Sequence, residues 1–439
     1  MTWPVTTRRD PDGALSIGGV ALAALADEYG TPLYVFDEAT LRQRARAIAA
    51  AFQAAYPRSR VVYAGKAYLS PTIVGMLAEE GIGLDVVSGG ELAAGLRAGM
   101  PAAAMTLHGN NKSAEELRQA VAAGVGLIAI DNDLEIDLLA EIVAASDADV
   151  QVLLRLNPGI AAHTNKKMRT GALDSKFGFP IATGQAMAAV DRLVAAPGLT
   201  LVGYHAHIGS QIFDASLVGE TIDRLIGFAA AARDRRGVEP RTIVPGGGFG
   251  VADDASGADV SIRDWALAAA AAIRAGTERY GLPLPELVVE PGRAIVGPAG
   301  VALYRVGARK AIPGVRTYVS VDGGMADNIR PSLYGAKYSA ALANRDGTNG
   351  SLETVTIAGK YCESGDLLID DIALPRLEPG DLIAVPMAGA YCLAMASNYN
   401  LAPRPAAALV GDGKSRLFRR RETLDDMLAT ELAPAVVGR

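Results

Sequence analysis

Short apolar runs alternate with longer amphipathic stretches across the first two thirds of the chain. The runs are Val61–Ala67, Gly83–Ser88, Ala103–Gly109, Leu127–Asp131, Val150–Asn157, Leu199–Ile208, Thr242–Gly246 and Glu286–Glu290. Each has the length of a strand buried on both faces. Between them lie helical patterns at Pro71–Glu80, Glu91–Ala98, Ala114–Ala123, Leu134–Ala145, Gly184–Ala195, Leu217–Arg235 and Trp265–Arg274. Ser113 with Glu116 three residues later has capping-box spacing, and Gly81, Gly99 and Gly124 suit helix C-termini. Strand–helix alternation implies parallel strands, and eight such units predict an α/β fold, a (β/α)8 barrel. A doubly wound open sheet is the alternative, but no dinucleotide fingerprint follows an early strand.

Before the rhythm starts, the pattern predicts a short helix over Gly18–Gly30, a strand at Pro32–Asp37 and a helix over Leu41–Tyr56. After Gly300 helical periodicity nearly vanishes. Val301–Ile312, Thr317–Val321, Glu353–Gly359, Asp366–Ile372 and Asp381–Met387 read as strands, and Gly335–Gly350 as an irregular surface loop. The expected organisation is a barrel over residues 35–298, with residues 1–34 and 299–439 forming a β-rich barrel or sandwich domain.

A length of 439 residues agrees with two domains. The net charge of -6 argues against a nucleic-acid partner. The basic run Arg416–Arg421 is followed at once by Glu422, Asp425 and Asp426 and reads as a solvated face. Two cysteines, Cys362 and Cys392, are no disulfide framework. Met1–Gly13 shows no apolar signal segment, and the Ala266–Ile273 run is too short to span a bilayer. The expectation is a cytoplasmic protein with no membrane partner.

Barrel sites sit where strands end. Here the runs end at Lys66, Ser88, His108–Asn111, Asp131, Asn157, His207–Ser210, Gly246–Gly248 and Glu290–Arg293, all polar or Gly-rich. Lys66 reads either as a cation reaching solvent or a carboxylate, or as an amine available for a Schiff base. The glycines after the seventh run let backbone N–H groups approach a phosphate, and Arg293 can add a cation. His205 and His207 share a face. A metal pair with Asp131 is one reading; a ring-stacking histidine beside a packed one is the other. Glu290 is either an ion-pair partner of Lys66 or the carboxylate that keeps a pyridine nitrogen protonated. Phosphate cradle, amine, carboxylate and histidine together suit pyridoxal phosphate (PLP).

The motifs Tyr63–Ala67, Asp85–Leu92, His108–Ser113, His207–Gln211, Glu290–Arg293, Cys362–Asp366, Gly389–Tyr391, Ser397–Asn400 and Arg404-Pro405 resemble those of the fold-type III PLP-dependent decarboxylases. These enzymes act on ornithine, arginine and diaminopimelate. The resemblance runs in order over nearly the whole chain. It implies that Lys66 anchors the cofactor, His207 stacks on its ring and Glu290 meets its ring nitrogen. Ser210, Gly248, Gly292, Arg293 and Tyr391 would surround the phosphate or the neighbouring substrate. Cys362 would donate the proton after loss of carbon dioxide. Cys362 and Glu363 would come from the partner subunit of a homodimer.

Substrate choice then follows from charge. Arg330 offers a bidentate fork for a distal carboxylate, Tyr334 a hydroxyl, and Glu363 a partner for a distal ammonium. The expected reaction is decarboxylation of meso-2,6-diaminopimelate to L-lysine and carbon dioxide, the last step of lysine biosynthesis. Rival readings are a relative tuned to another or a carrier-bound amino acid, a racemase of the same fold type, a non-catalytic PLP carrier, and a metal hydrolase. The chain departs from the family pattern at Gly359–Cys362, which lacks a proline. It departs again at Thr164–Arg169, a stretch placed like an active-site lid ahead of the retained Ser175–Gly178.

Overall fold

The computed structural model describes residues 3–146, 148–160, 170–171, 173–252, 260–347 and 351–432. His163 and the lid-like Thr164–Arg169 lie outside the described residues. Two compact units divide the chain. One takes in the chain through Leu41 and from Gly297 onward; the other runs from Arg42 to Val296.

The second unit is a closed parallel barrel. Its strands are β1 (Ser59–Ala64), β2 (Gly83–Val86), β3 (Met105–Leu107), β4 (Leu127–Ile130), β5 (Val150–Asn157), β6 (Leu199–His205), β7 (Thr242–Gly246) and β8 (Glu286–Val289). Each pairs in parallel with the next, and β8 pairs with β1. The open-sheet alternative is thereby excluded. The two-residue strand Phe179–Pro180 adds to β5. Val62, Leu127, Ala129, Leu153, Val202, Val244 and Val288 fill the interior. The four valines among them are β-branched, a shape that suits a packed pleated wall.

Caps decide where the helices start. Ser70 accepts from the Ile73 amide at 3.2 Å, with Pro71 at the first helical position of Pro71–Glu79. Ser113 and Glu116 form the expected reciprocal box, at 3.2 and 2.9 Å, for Ala114–Ala123. One close approach is set by a missing side chain. A Cβ on Gly203 would stand 1.9 Å from the Thr242 carbonyl oxygen, so β6 and β7 can only pair with glycine there.

In the other unit the strand order is Leu367–Pro375, Leu352–Ala358, Arg316–Val321, Gly300–Ile312, Leu33–Asp37, Ala406–Gly411 and Lys414–Arg419. Leu382–Val385 joins the sheet beside Gly300–Ile312 and carries Ala341–Leu342. Registered neighbours Leu33 and Leu303, Val35 and Val301, and Ala408 and Val35 place one apolar face in a common cluster. The opposite face is buried too, through Tyr34, Phe36, Ala302 and Tyr304.

Two expectations change. Only Leu22–Tyr29 of the Gly18–Gly30 segment is helical; Leu15–Ile17 and Val20–Ala21 form a hairpin around Gly18 and Gly19, both left-handed. Much of Gly335–Gly350 is no surface loop. Tyr338, Leu342 and Ala343 are buried, because Ala341–Leu342 pairs with Leu382–Val385. The basic run falls on the hairpin strand Lys414–Arg419 and the turn after it, where Arg420 pairs with Asp426. Among the described residues, no helix is long and apolar enough to cross a membrane.

Two glycine substitutions separate close approach from mere flexibility. Gly203→Ala is expected to lower the melting temperature sharply or prevent folding, because backbone must move. Gly219→Ala, in the helix Ser216–Arg236 with no atom nearer than 3.9 Å to the added carbon, is expected to stabilise by about 0.5–1 kcal/mol. Thermal and denaturant melts check both.

Candidate active site

Lys66 does not end β1 but lies one residue beyond it, in the single helical turn Gly65–Ala67. Its side chain is exposed, because the strand stops at Ala64 and the turn lifts the amine out. The turn is tightly held. Tyr63 donates its hydroxyl to the Tyr68 carbonyl at 2.7 Å, and a Cβ on Gly65 would meet the Asp85 carbonyl at 2.8 Å. The Ala64 amide donates to the Pro291 carbonyl at 3.2 Å, and a Cβ on Gly292 would touch that of Ala67 at 2.9 Å. The Lys66 turn and the Glu290–Arg293 turn therefore pack on each other.

Glu290 follows β8 and is buried. His205 Nε2 lies 3.1 Å from one of its oxygens and His108 Nε2 3.1 Å from the other. Burial alone would raise the carboxyl pKa, but the two imidazoles hold it well below the ordinary range. Burial pushes His205 down to about 4, so it is neutral. For His108 burial also works downward, yet the carboxylates of Asp85 and Glu290 raise it. Burial, then the charge of Lys66, holds His207 well below the usual histidine range. It stands half-buried beyond β6, and its Nδ1 accepts from the Gly247 amide at 3.4 Å.

The glycines after β7 line a backbone cradle. A Cβ would stand 2.7 Å from the Ala206 carbonyl at Gly246, 1.9 Å from the Glu290 carbonyl at Gly247 and 2.3 Å from the Gly209 carbonyl at Gly248. Ile212 donates its amide to the Gly248 carbonyl at 2.9 Å, and the Gln211 side chain bonds both ways with Val251, at 2.8 and 3.0 Å. So the loop bearing Ser210 is laced to the glycine loop. Arg293 opens a short helix beside it and is buried.

The fold does not gather the metal ligands considered for His205 and His207 with Asp131: among the described residues, the ligand atoms within 4.8 Å of one another are those of His108, His205 and Glu290. His205 faces Glu290, whereas Asp131 faces Arg155 at 3.1 Å and accepts from the Gly178 amide at 2.8 Å. Sequence reasoning left Asp85, His108, Arg155 and the Lys112–Glu135 pair without roles. A signal existed for Asp85 and Arg155, each a charge inside an otherwise apolar strand. Lys112 donates to Glu135 at 2.7 Å and to the Gly109 and Ala129 carbonyls at 2.8 and 2.6 Å, tying the end of β3 to that of β4.

The remaining predicted residues belong to the β-rich unit. Cys362, Glu363, Arg330, Tyr334 and Tyr391 are all there. Cys362 and Glu363 are exposed on one turn. Asp366 anchors that turn, accepting from the Tyr361 amide at 2.8 Å and the Met325 amide at 2.6 Å. The Cys362 amide donates to Asn400 at 3.1 Å, and Ser332 donates to the Gly365 carbonyl at 2.7 Å. The helix Arg330–Tyr334 and the Cys362 turn thus lie together. Arg330 is fully buried and donates to Tyr338, whose hydroxyl lies 3.3 Å from Cys392 Sγ. Tyr391, next to it, has a left-handed backbone with φ of 61°.

The profile of the family described as pyridoxal-dependent decarboxylase, pyridoxal binding domain, matches residues 39–297. Diaminopimelate decarboxylase of Bacillus subtilis is 45% identical over 427 residues, covering 97% of each chain. That of Synechocystis is 44% identical, covering 98% of this chain and 93% of its own. Among solved structures, the crystal structure of diaminopimelate decarboxylase from M. jannaschii in co-complex with L-lysine superimposes with a TM-score of 0.90 at 32% identity over 99% of both chains.

The buried Lys112–Glu135 pair supplies a test of the mouth. Lys112→Met strands a buried carboxylate and is expected to cost about 3–5 kcal/mol in denaturant unfolding. Pairing it with Glu135→Gln, which replaces that charge by a neutral acceptor, is expected to recover part of the loss.

Proposed function

The chain belongs to the pyridoxal-dependent decarboxylases, and is therefore a carboxy-lyase; we propose that it removes one carboxylate of meso-2,6-diaminopimelate to give L-lysine and carbon dioxide. The observation that carries this reading is the meeting of the Lys66 turn with Glu290 at one barrel mouth, beside a glycine run that no Cβ could enter. These groups fit PLP. The cradle leaves space and backbone amides for a phosphate. Lys66 offers an exposed amine for a carbonyl. Glu290 offers an anion for a ring nitrogen.

Bound PLP supplies an electron sink for the pair left on Cα as carbon dioxide departs. Lys66 would hold the cofactor through its exposed side-chain amine. Glu290 would meet the ring nitrogen as an anion, and His207, held neutral, would lie against the ring without adding a competing charge. Ser210, Gly248, Gly292 and Arg293, joined by Tyr391, bind the phosphate, with Arg293 and Tyr391 also near substrate. Arg330 forks the distal carboxylate, Tyr334 adds a hydroxyl and Glu363 pairs with the distal ammonium. Cys362 delivers the proton that replaces the lost carboxylate.

The working form is a homodimer in which Cys362 and Glu363 complete the site of the other subunit. Their exposure on a single chain supports that arrangement. Two cysteines without a disulfide support action in the reducing cytoplasm.

Three measurements test the reading. Purified with PLP, the protein is expected to show the visible absorbance of a lysine-bound cofactor, and Lys66→Ala to lose it. In a panel of diaminopimelate, ornithine and lysine, turnover is expected only with the first; none there with turnover of another overturns the substrate assignment. Arg330→Lys keeps the charge but not the fork, and is expected to lower kcat/KM for diaminopimelate on the order of 10²-fold with the cofactor absorbance retained.

A further inference from the structure

We propose that His108 is a positioning residue that fixes the orientation and the charge of Glu290 toward the cofactor's ring nitrogen. The inference rests on the reading of Glu290 given above and extends it to the histidine beside that carboxylate.

Two imidazoles bracket one carboxylate. Each Glu290 oxygen has a histidine Nε2 at 3.1 Å, and the two rings stand 4.6 Å apart at 55°. His205 Nε2 hydrogen-bonds one Glu290 oxygen, whereas His108 Nε2 stands beside the other as a charge contact without hydrogen-bond geometry, so that oxygen keeps its acceptor positions. They remain for a further donor. One carboxylate cannot offset two imidazolium ions at that spacing, so one ring must stay neutral. The choice between them is made by Asp85. Its Oδ1 lies 3.8 Å from His108 Nε2 and, among the described residues, has no hydrogen-bond partner. His205 faces no second carboxylate, and its Nδ1 has no partner. The positive charge therefore settles on His108.

The surroundings are otherwise hostile to an anion. Glu290 is 7% exposed, and a lone carboxylate so buried takes up a proton. A protonated Glu290 has no charge to hold a pyridinium. The groups acting on this pair come from six strands: Lys66 after β1, Asp85 on β2, His108 after β3, Arg155 on β5, His205 on β6 and Glu290 after β8. Arg155 opposes a charge on His108 and is itself engaged by Asp131 at 3.1 Å. Removing His108 thus removes the cation that keeps Glu290 ionised.

The experiment compares wild type with His108→Phe and His108→Gln, titrating apoprotein with PLP by visible absorbance across pH. The sign is fixed: without the His108 cation the Glu290 carboxyl protonates at higher pH, so cofactor retention fails at higher pH as the solution is acidified. For His108→Phe the expected result is roughly tenfold weaker PLP binding at neutral pH, with the acid limb moved up by about one unit. His108→Gln keeps an N–H donor without the charge. It is expected to recover affinity but retain the shifted limb, a split that a merely structural role would not produce. Wild-type affinity and limb in a folded His108→Phe overturn the proposal. Should that variant fail to fold, an unshifted limb in His108→Gln overturns it. If wild type takes up no PLP, or Lys66→Ala keeps the absorbance, the parent reading fails instead.

Discussion

Buried charges placed at the ends of parallel strands are the constraint on which this protein depends. A strand end inside a barrel has no water to solvate a carboxylate, so each such group must find a cation or donor on a neighbouring strand. Glu290 finds two histidines, Asp131 finds Arg155 and the Gly178 amide, and Glu135 finds Lys112. These pairs join the ends of non-adjacent and adjacent strands alike. The mouth is thereby a network in which buried charges hold one another in place.

The β-rich unit obeys the same rule with different groups. Asp327 is buried, and burial pushes its carboxyl up to about 7, even though Tyr304 donates to it at 2.6 Å and the Gly324 amide at 2.8 Å. Tyr34 reaches its carbonyl at 2.7 Å. Tyr34 and Tyr304 sit on paired strands, so the sheet itself holds the segment that leads into Arg330. Asp366 performs the equivalent task for the Cys362 turn. The Arg330 segment and the Cys362 turn are in this way tied back to rigid strands.

Most of the barrel was legible because its signal is periodic. Eight apolar runs and their caps are local patterns, and the structure places strands inside all eight. The identity of the mouth was legible for a related reason, since strand ends in a barrel converge whatever the loops do. What escaped was pairing. Nothing in sequence spacing says that His108 and His205 share Glu290, or that Lys112 answers Glu135, because partners on separate strands meet only after closure. The Gly18-Gly19 hairpin escaped because Gly18–Gly30 reads as one short helix, whereas the two left-handed glycines turn the chain before the helix starts at Leu22. Tyr338 escaped because Gly335–Gly350 is polar in composition, while a two-residue strand is enough to bury part of it.

The glycine run after β7 has a consequence for divergence. At Gly246, Gly247 and Gly248 the atoms a side chain would strike are backbone carbonyls of two neighbouring loops, and no rotamer change moves those aside. Three successive codons are thus closed to drift, and no single substitution there can be rescued by repacking a nearby side chain. Descendants of this sequence can alter the mouth only through residues that project side chains into it. Novelty in this lineage is confined to the walls and cannot begin at the floor.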